Sequence, residues 1–309
     1  MKTQRYLDMV NKAALNAKIK ITKETELEII KLYDMAIQDL INKLKKENNK
    51  LSRQFIKSRI RMLNAELEKI IENSSSEAAK AACKNHEDVL NKIMSKSGKK
   101  LKFDLLFSNI PNDVLAVMKE GKIYKDGAGL SSRIWNYGGA NSKYIEDIIY
   151  TGLAEGTSAV DLAKMLETYV KPSSRKYWSN DKIKELLGEG YAQRQKQIEY
   201  NTLRLARTSI THSFTLGNKL SAERNPFVTH MKWHSVFAHG RTCEVCKERD
   251  GKIFTIKELP FDHPNGLCWE EPVYEKSLDE YAKEIRNWID GGNNSNLDKW
   301  YAEYGKFFI

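Results

Sequence analysis

Apolar residues recur at helical spacing through most of the first hundred residues, and that period constrains the fold more than any other feature. Ile30, Tyr33, Ile37, Leu40, Ile41 and Leu44 follow one stripe, with Thr22 placed to cap the start of their helix. Ile56, Ile60, Leu63, Leu67 and Ile70 mark a second helix. Ser74 and Glu77 have capping-box spacing and open a third, with Ala79, Cys83, His86, Leu90 and Ile93 on one face. Three such helices can bury a common core, so residues 1–100 are expected to form a helical bundle. Cys83 and His86 lie on the apolar stripe and are read as core residues rather than ligands.

Ser95 to Lys102 is a basic Ser/Gly/Lys linker. Pro111 then opens a short helix that ends at Gly121. Gly127, Gly129, Gly138 and Gly139 surround Trp135 and Tyr137 in a spacing that fits no phosphate-binding fingerprint, so they are read as turns. Two helices divided by Gly156-Thr157-Ser158 follow. The polar loop Lys171 to Asn180 sets Arg175 and Lys176 beside Tyr177 and Trp178. That combination suits either nucleic-acid stacking or a partly buried tryptophan in a surface loop. A helical pattern runs from about Ile183 to Glu223, broken near Gly188 and Gly190, with Ile198, Leu205, Ser209, Leu216 and Leu220 on one stripe.

After Asn225-Pro226 the period changes to two. Phe227, Met231, Trp233 and Phe237 fall on one side, with His230, Lys232 and His234 on a wet face. Helix returns with Tyr281, Ile285 and Trp288, and an aromatic tail spans Trp300 to Phe308. The expected fold is mainly α with a small α+β C-terminal part: an N-terminal helical bundle, long helices, and short β hairpins around a Cys/His knuckle. The expected division is a basic bundle (1–100), a helical region (101–225), a small β module with the Cys/His cluster (226–275), and a C-terminal helix with its tail (276–309).

No stretch has the apolar run of a signal peptide or a membrane span, so the chain is expected to stay in the cytoplasm of the cell that makes it. Its net charge is +10, and residues 1–100 hold 22 Lys/Arg against 13 Asp/Glu, about nine of the ten excess charges. Such an arm can attract duplex DNA without regard to sequence, by neutralising phosphates and releasing counterions. The candidate contacts are Lys43, Lys45, Lys46 and Lys50, then Arg53, Lys57, Arg59 and Arg61, then Lys96, Lys99 and Lys100. The alternative is a set of solvated lysine-rich helix faces.

Three of the four cysteines crowd into 26 residues. Cys243 and Cys246 form a C-x2-C pair that can turn two thiolates toward one tetrahedral metal, and His263 and Cys268 can supply two more ligands. The expected geometry is two hairpin-like corners, with Gly251, Pro264 and Gly266 in the turns and a short strand around Ile253 to Ile256 between them. A reducing cytoplasm favours a structural zinc over a disulfide. Two alternatives stay open: three reduced cysteines in a small β core, or a disulfide. His239 is a weaker candidate for the fourth ligand.

The order of motifs is what gives a resemblance. Ala206-Arg207-Thr208 on a helix, a strand with Trp233, Arg241-Thr242-Cys243-x2-Cys246, Asp250-Gly251, then His263-Pro264-Asn265-Gly266 and Cys268 resemble the head-morphogenesis family of tailed bacteriophages. Its members are minor capsid proteins similar to the F protein of phage Mu. The match covers roughly residues 140 to 275. Two positions depart from the family: Ser209 stands where Glu often follows Ala-Arg-Thr, and Leu267 stands where Arg usually precedes the last cysteine. The resemblance implies a structural virion component, held in the capsid interior or at the portal vertex and present in host cytoplasm during assembly. Its implied partners are the portal protein and other head proteins, with packaged double-stranded DNA a further contact.

Two readings compete with it. One is a zinc-stabilised, non-specific DNA-binding protein. The other is a metal-dependent nuclease of the His-Asn-His type, suggested by Asp262-His263 and Asn265, but no histidine follows His263. A zinc hydrolase would need an open coordination position and a base such as Asp262 or Glu270, whereas cysteine-rich ligand sets are mostly structural. The expectation is a protein that is not an enzyme.

Overall fold

A computed structural model describes residues 2–46, 53–134, 198–237 and 242–308. The fold is mainly helical with one small antiparallel sheet toward the C-terminus. Its helices are α1 (Lys2–Lys46), α2 (Arg53–Ser97), α3 (Asp104–Phe107), α4 (Ile110–Glu120), α5 (Ile198–Glu223), α6 (Glu244–Arg249), α7 (Leu278–Ile289) and α8 (Ser295–Tyr304). A 3-10 turn (Gly305–Phe308) follows α8, and the strands are β1 (His230–His234), β2 (Ile253–Thr255) and β3 (Trp269–Val273). The chain forms two compact units. One comprises residues 1–22, 73–118 and 207–309, and the other residues 23–72 and 119–206.

Two continuous helices of 45 residues replace the three expected in the first hundred. Thr22 does not cap: it sits inside α1 and its Oγ1 donates to Lys18 O at 2.9 Å. Ser74 and Ser75 are buried within α2. A hydroxyl that bonds the carbonyl one turn back costs a helix little. A buried stripe from Ile56 through Met94, mostly apolar on either side of these serines, outweighs a local stop signal of about 1 kcal/mol. Elsewhere the punctuation holds. α2 ends before Gly98 and α4 before Gly121, both at φ 74, the left-handed conformation that favours glycine after a helix.

In the first unit, α1 and α2 pack antiparallel through Tyr6 Oη to Asp88 O at 3.1 Å and Asn85 Nδ2 to Asn11 Oδ1 at 2.8 Å. Gly217 lets α5 approach α2 closely, since a Cβ there would lie 3.0 Å from Ala79 backbone atoms. The sheet has the order β2-β1-β3, both pairings antiparallel. Met231 and Trp233 of β1 are fully buried while His230, Lys232 and His234 are half-buried, as the alternation requires. Phe237, expected on the buried side, lies past the strand end and is exposed. Arg286 of α7 reaches back to the end of α2, donating to Ser97 O at 2.6 Å. Trp300 of α8 donates to Arg224 O at 2.8 Å. In the second unit, Arg59 pairs with Asp39 at 2.9 Å and Tyr33 Oη lies 3.2 Å from Thr202 Oγ1. There the Gly129 backbone lies so close to Lys119 that a Cβ would fall 1.9 Å from its carbonyl oxygen.

No helix among the described residues is long and apolar enough to cross a membrane. The expected break at Gly156-Thr157-Ser158, the loop 171–180, the glycines 138–139 and the breaks near Gly188 and Gly190 lie outside the described residues.

His86 has no exposed surface and Asn225 Nδ2 lies 3.4 Å from its Nδ1. Burial pulls its pKa from 6.5 to about 3. The unfolded chain takes up that proton first, so this contribution is complete above pH 6.5 and is lost as pH falls toward 3. Urea unfolding at several pH values should show wild type losing stability below that pH more steeply than His86→Gln. The difference should approach ~1.4 kcal/mol per pH unit; equal slopes would refute it.

Candidate metal centre

The centre is assembled against a polar face of α5. Ser209, Thr211, His212, Ser213, Thr215, Asn218 and Ser221 are all buried, and polar groups shielded from water need partners. Segment 262–270 supplies several. Thr211 Oγ1 donates to Gly266 O at 3.0 Å, Thr215 Oγ1 to Glu270 Oε1 at 2.8 Å, and Asn218 Nδ2 to Glu270 O at 3.3 Å. His212 Nε2 lies 2.9 Å from Asp262 O. A carbonyl only accepts, so His212 carries a proton on Nε2.

Asn265 has φ 67, the left-handed region that asparagine tolerates better than other side chains. Its backbone N–H donates to Thr208 Oγ1 at 2.8 Å, and its Oδ1 accepts from Arg207 Nη1 at 3.1 Å. Two motif pieces far apart in sequence thus meet in space.

Cys243 is the N-cap of α6, and its sulfur accepts the Cys246 N–H at 3.4 Å. A short helix therefore holds this pair where a hairpin-like corner was expected. The two spacings look alike, because a cap residue and the third helical residue also stand three apart. Donor atoms of Cys243, Cys246 and His263 lie within 4.8 Å of one another, and those of Cys246, Asp262 and Cys268 do the same. All four ligands anticipated from the sequence are gathered, in two trios that share Cys246, and Asp262 joins them. His263 Nδ1 lies 3.1 Å from Pro264 O. That contact puts the proton on Nδ1 and leaves the Nε2 lone pair to bind a cation.

Cys246 and Cys268 are buried, and burial pushes both thiols up. A metal ion entering here must displace their protons. Three sulfurs and an imidazole suit zinc or another borderline-soft ion and not calcium or magnesium. Beside them, the fully buried Lys18 donates to Cys268 O at 2.6 Å and stands 5.3 Å over the Phe214 ring. Burial pulls Lys18 down and pushes Glu270 up to about 7, each opposed by the other's charge.

His230 and His234 stay on the wet face. His234 stacks on Trp269 with centroids 4.5 Å apart, and its Nε2 lies 2.9 Å from Glu271 Oε1. Cys83 is buried beside Ser221, 3.4 Å from its Oγ, apart from the cluster. Among the candidate DNA contacts, Lys46, Lys57, Arg61 and Lys100 are exposed, and Lys43 lies over the Phe55 ring at 5.6 Å. Arg59 pairs with Asp39, Lys96 with Asp279 and Lys99 with Asp290. Lys50, His239 and the side chains of Lys45 and Arg53 lie outside what the structure describes.

The chain matches no family profile, no curated protein and no solved structure.

Asn265→Ala removes the Arg207 contact and places an alanine in the left-handed region. The expected loss is about 1–2 kcal/mol in denaturant unfolding. Asn265→Gly, which relieves the backbone cost, should lose less; the reverse ranking would contradict this account of the turn.

Proposed function

We propose that this chain is a structural minor head protein of a tailed bacteriophage, acting at or near the portal during prohead assembly, and that its Cys/His cluster holds one structural zinc. The observation that carries the reading is the contact of Arg207 and Thr208 with Asn265. The resemblance rests on an ordered set of separate motifs, and a contact between two of them supports treating the set as one unit. The cluster supports the zinc reading through its chemistry. Three cysteine sulfurs and a histidine would supply the four ligands of a tetrahedral site without an open position, which is the pattern of a structural zinc. Such a centre stabilises a small module by tying α6 to the segment that carries His263 and Cys268, and metal binding is then coupled to folding.

Metal analysis of the full chain, purified under reducing conditions without added metal, should find about one zinc equivalent. Cys246→Ser should abolish it and Cys83→Ser should leave it unchanged. A folded wild-type chain without metal would refute the zinc centre.

Co-expression with the portal protein of the phage that carries this gene should give a complex that survives purification. Failure to co-purify, combined with absence from assembled particles, would overturn the assignment. DNA contact, as part of this role, should show as binding to duplex that weakens by about two to three decades between about 50 and 200 mM salt if about five phosphates are neutralised. Lys57→Glu with Arg61→Glu should weaken it further and flatten the salt slope; indifference to both charges would remove these residues from the contact.

A further inference from the structure

Asp262 is the cluster's least expected member. Its side chain has no exposed surface, although an isolated buried carboxylate is costly. The loop compensates with N–H groups. Oδ1 accepts the His263 N–H at 2.8 Å and Oδ2 accepts the Cys268 N–H at 2.9 Å. Oδ1 also lies 3.5 Å from Cys246 Sγ, to which it is joined by a weak S–H donation in the metal-free chain. One carboxylate therefore touches three residues of the cluster. The loop is shaped around it: a Cβ on Gly266 would fall 1.9 Å from Asp262 Oδ2. The backbone is anchored as well, through His212 to Asp262 O at 2.9 Å.

We infer that Asp262 is the positioning residue of this centre: it holds the His263 and Cys268 donors and the Cys246 sulfur in place before a metal arrives, and it is not itself a ligand. Both of its oxygens already accept backbone N–H groups from the loop they organise. Cys243, Cys246 and His263 form one trio and Cys268 joins Cys246, so these four would be enough for the positions of a tetrahedral ion without it. A carboxylate just outside the ligands also favours a cation among them, and loss of such outer partners typically weakens metal binding by 10–100-fold. The inference rests on the zinc reading of the cluster.

The test is competition binding of zinc and cobalt(II) to the full chain, with absorption spectra of the cobalt form. Asp262→Ala should weaken both metals by about 10–100-fold while leaving the thiolate-to-cobalt charge-transfer intensity of three sulfurs and the tetrahedral ligand-field bands in place. Gly266→Ala, which pushes the carboxylate aside, should weaken them similarly. The double variant should be no worse than Asp262→Ala alone, because the added methyl then meets no carboxylate. Circular dichroism and unfolding of each metal-free variant separate this effect from a failure to fold. Should Asp262→Ala not fold, Asp262→Asn, which keeps one acceptor oxygen, should give an intermediate loss. Unchanged affinity in the folded variants would overturn the inference, as would altered ligand-field bands, which would make Asp262 a ligand. A wild-type chain that takes up neither metal would sink the zinc reading itself and this inference with it, a result distinct from normal uptake by wild type and variants alike.

Discussion

The first unit depends on a helix that is polar where it is most buried. α5 turns threonines, a histidine and an asparagine toward segment 262–270. Buried hydrogen bonds of this kind contribute about 1 kcal/mol each when made and cost more when one partner is left alone. An apolar α5 would accept a loop in many positions, whereas this face accepts it in one. Position is what a set of metal ligands requires, since donors must fall within a few tenths of an ångström of a tetrahedron. The sheet extends the same frame: β3 leaves Cys268 directly, and β1 pairs with it over five residues from His230 to His234.

Lys18 and Glu270 apply the same logic with charge. They form no direct salt bridge: each feels the other's charge across the interior and is held by neutral hydrogen-bond partners. Glu270 is satisfied by Thr215 and Asn218 from α5, and Lys18 binds the Cys268 carbonyl from α1. A slip of α1 by one turn would bring Ala14 or Thr22 to that place, and neither carries a charge. Lys18 therefore fixes the register of the first part of α1 against Cys268, the residue just before β3. Asn11, two helical turns earlier, repeats the constraint by donating to Glu271 Oε2 at 2.8 Å.

Much of this was legible from residue patterns, and the limits have physical causes. The long helices, the alternating strand at Met231 and Trp233, the short strand near Ile253 and the gathering of the cysteines with His263 all follow from period or spacing. Helix number did not, because Thr22 and Ser74 carry cap chemistry in positions where packing keeps the helix going. β3 was missed because Trp269 to Val273 includes Pro272 and two glutamates, a poor strand by propensity that survives at the sheet edge. In the sequence Asp262 reads only as a hypothetical base beside His263. Its actual partners are backbone N–H groups and Gly266, and nothing in a residue string marks a glycine as space reserved for a carboxylate. The polar face of α5 was hidden for a related reason: Ser and Thr interleaved with leucines look like small fillers until their partners are known.

Charge shows the same gap between a string and a fold. Counting along the chain gives residues 1–100 nearly all of the excess positive charge, but neighbours in sequence are not neighbours in space. Lys96 and Lys99 face Asp279 and Asp290, which α7 and its C-terminal cap bring from nearly two hundred residues away. Such exposed pairs contribute at most about 1 kcal/mol to stability, yet each cancels a charge that a nearby phosphate would otherwise feel. Lys57, Arg61 and Lys100 remain exposed, and Arg59 is shared with Asp39. The attraction a basic segment offers to nucleic acid is thus set by which of its cations the fold has already neutralised, and the excess counted along the chain is its upper bound.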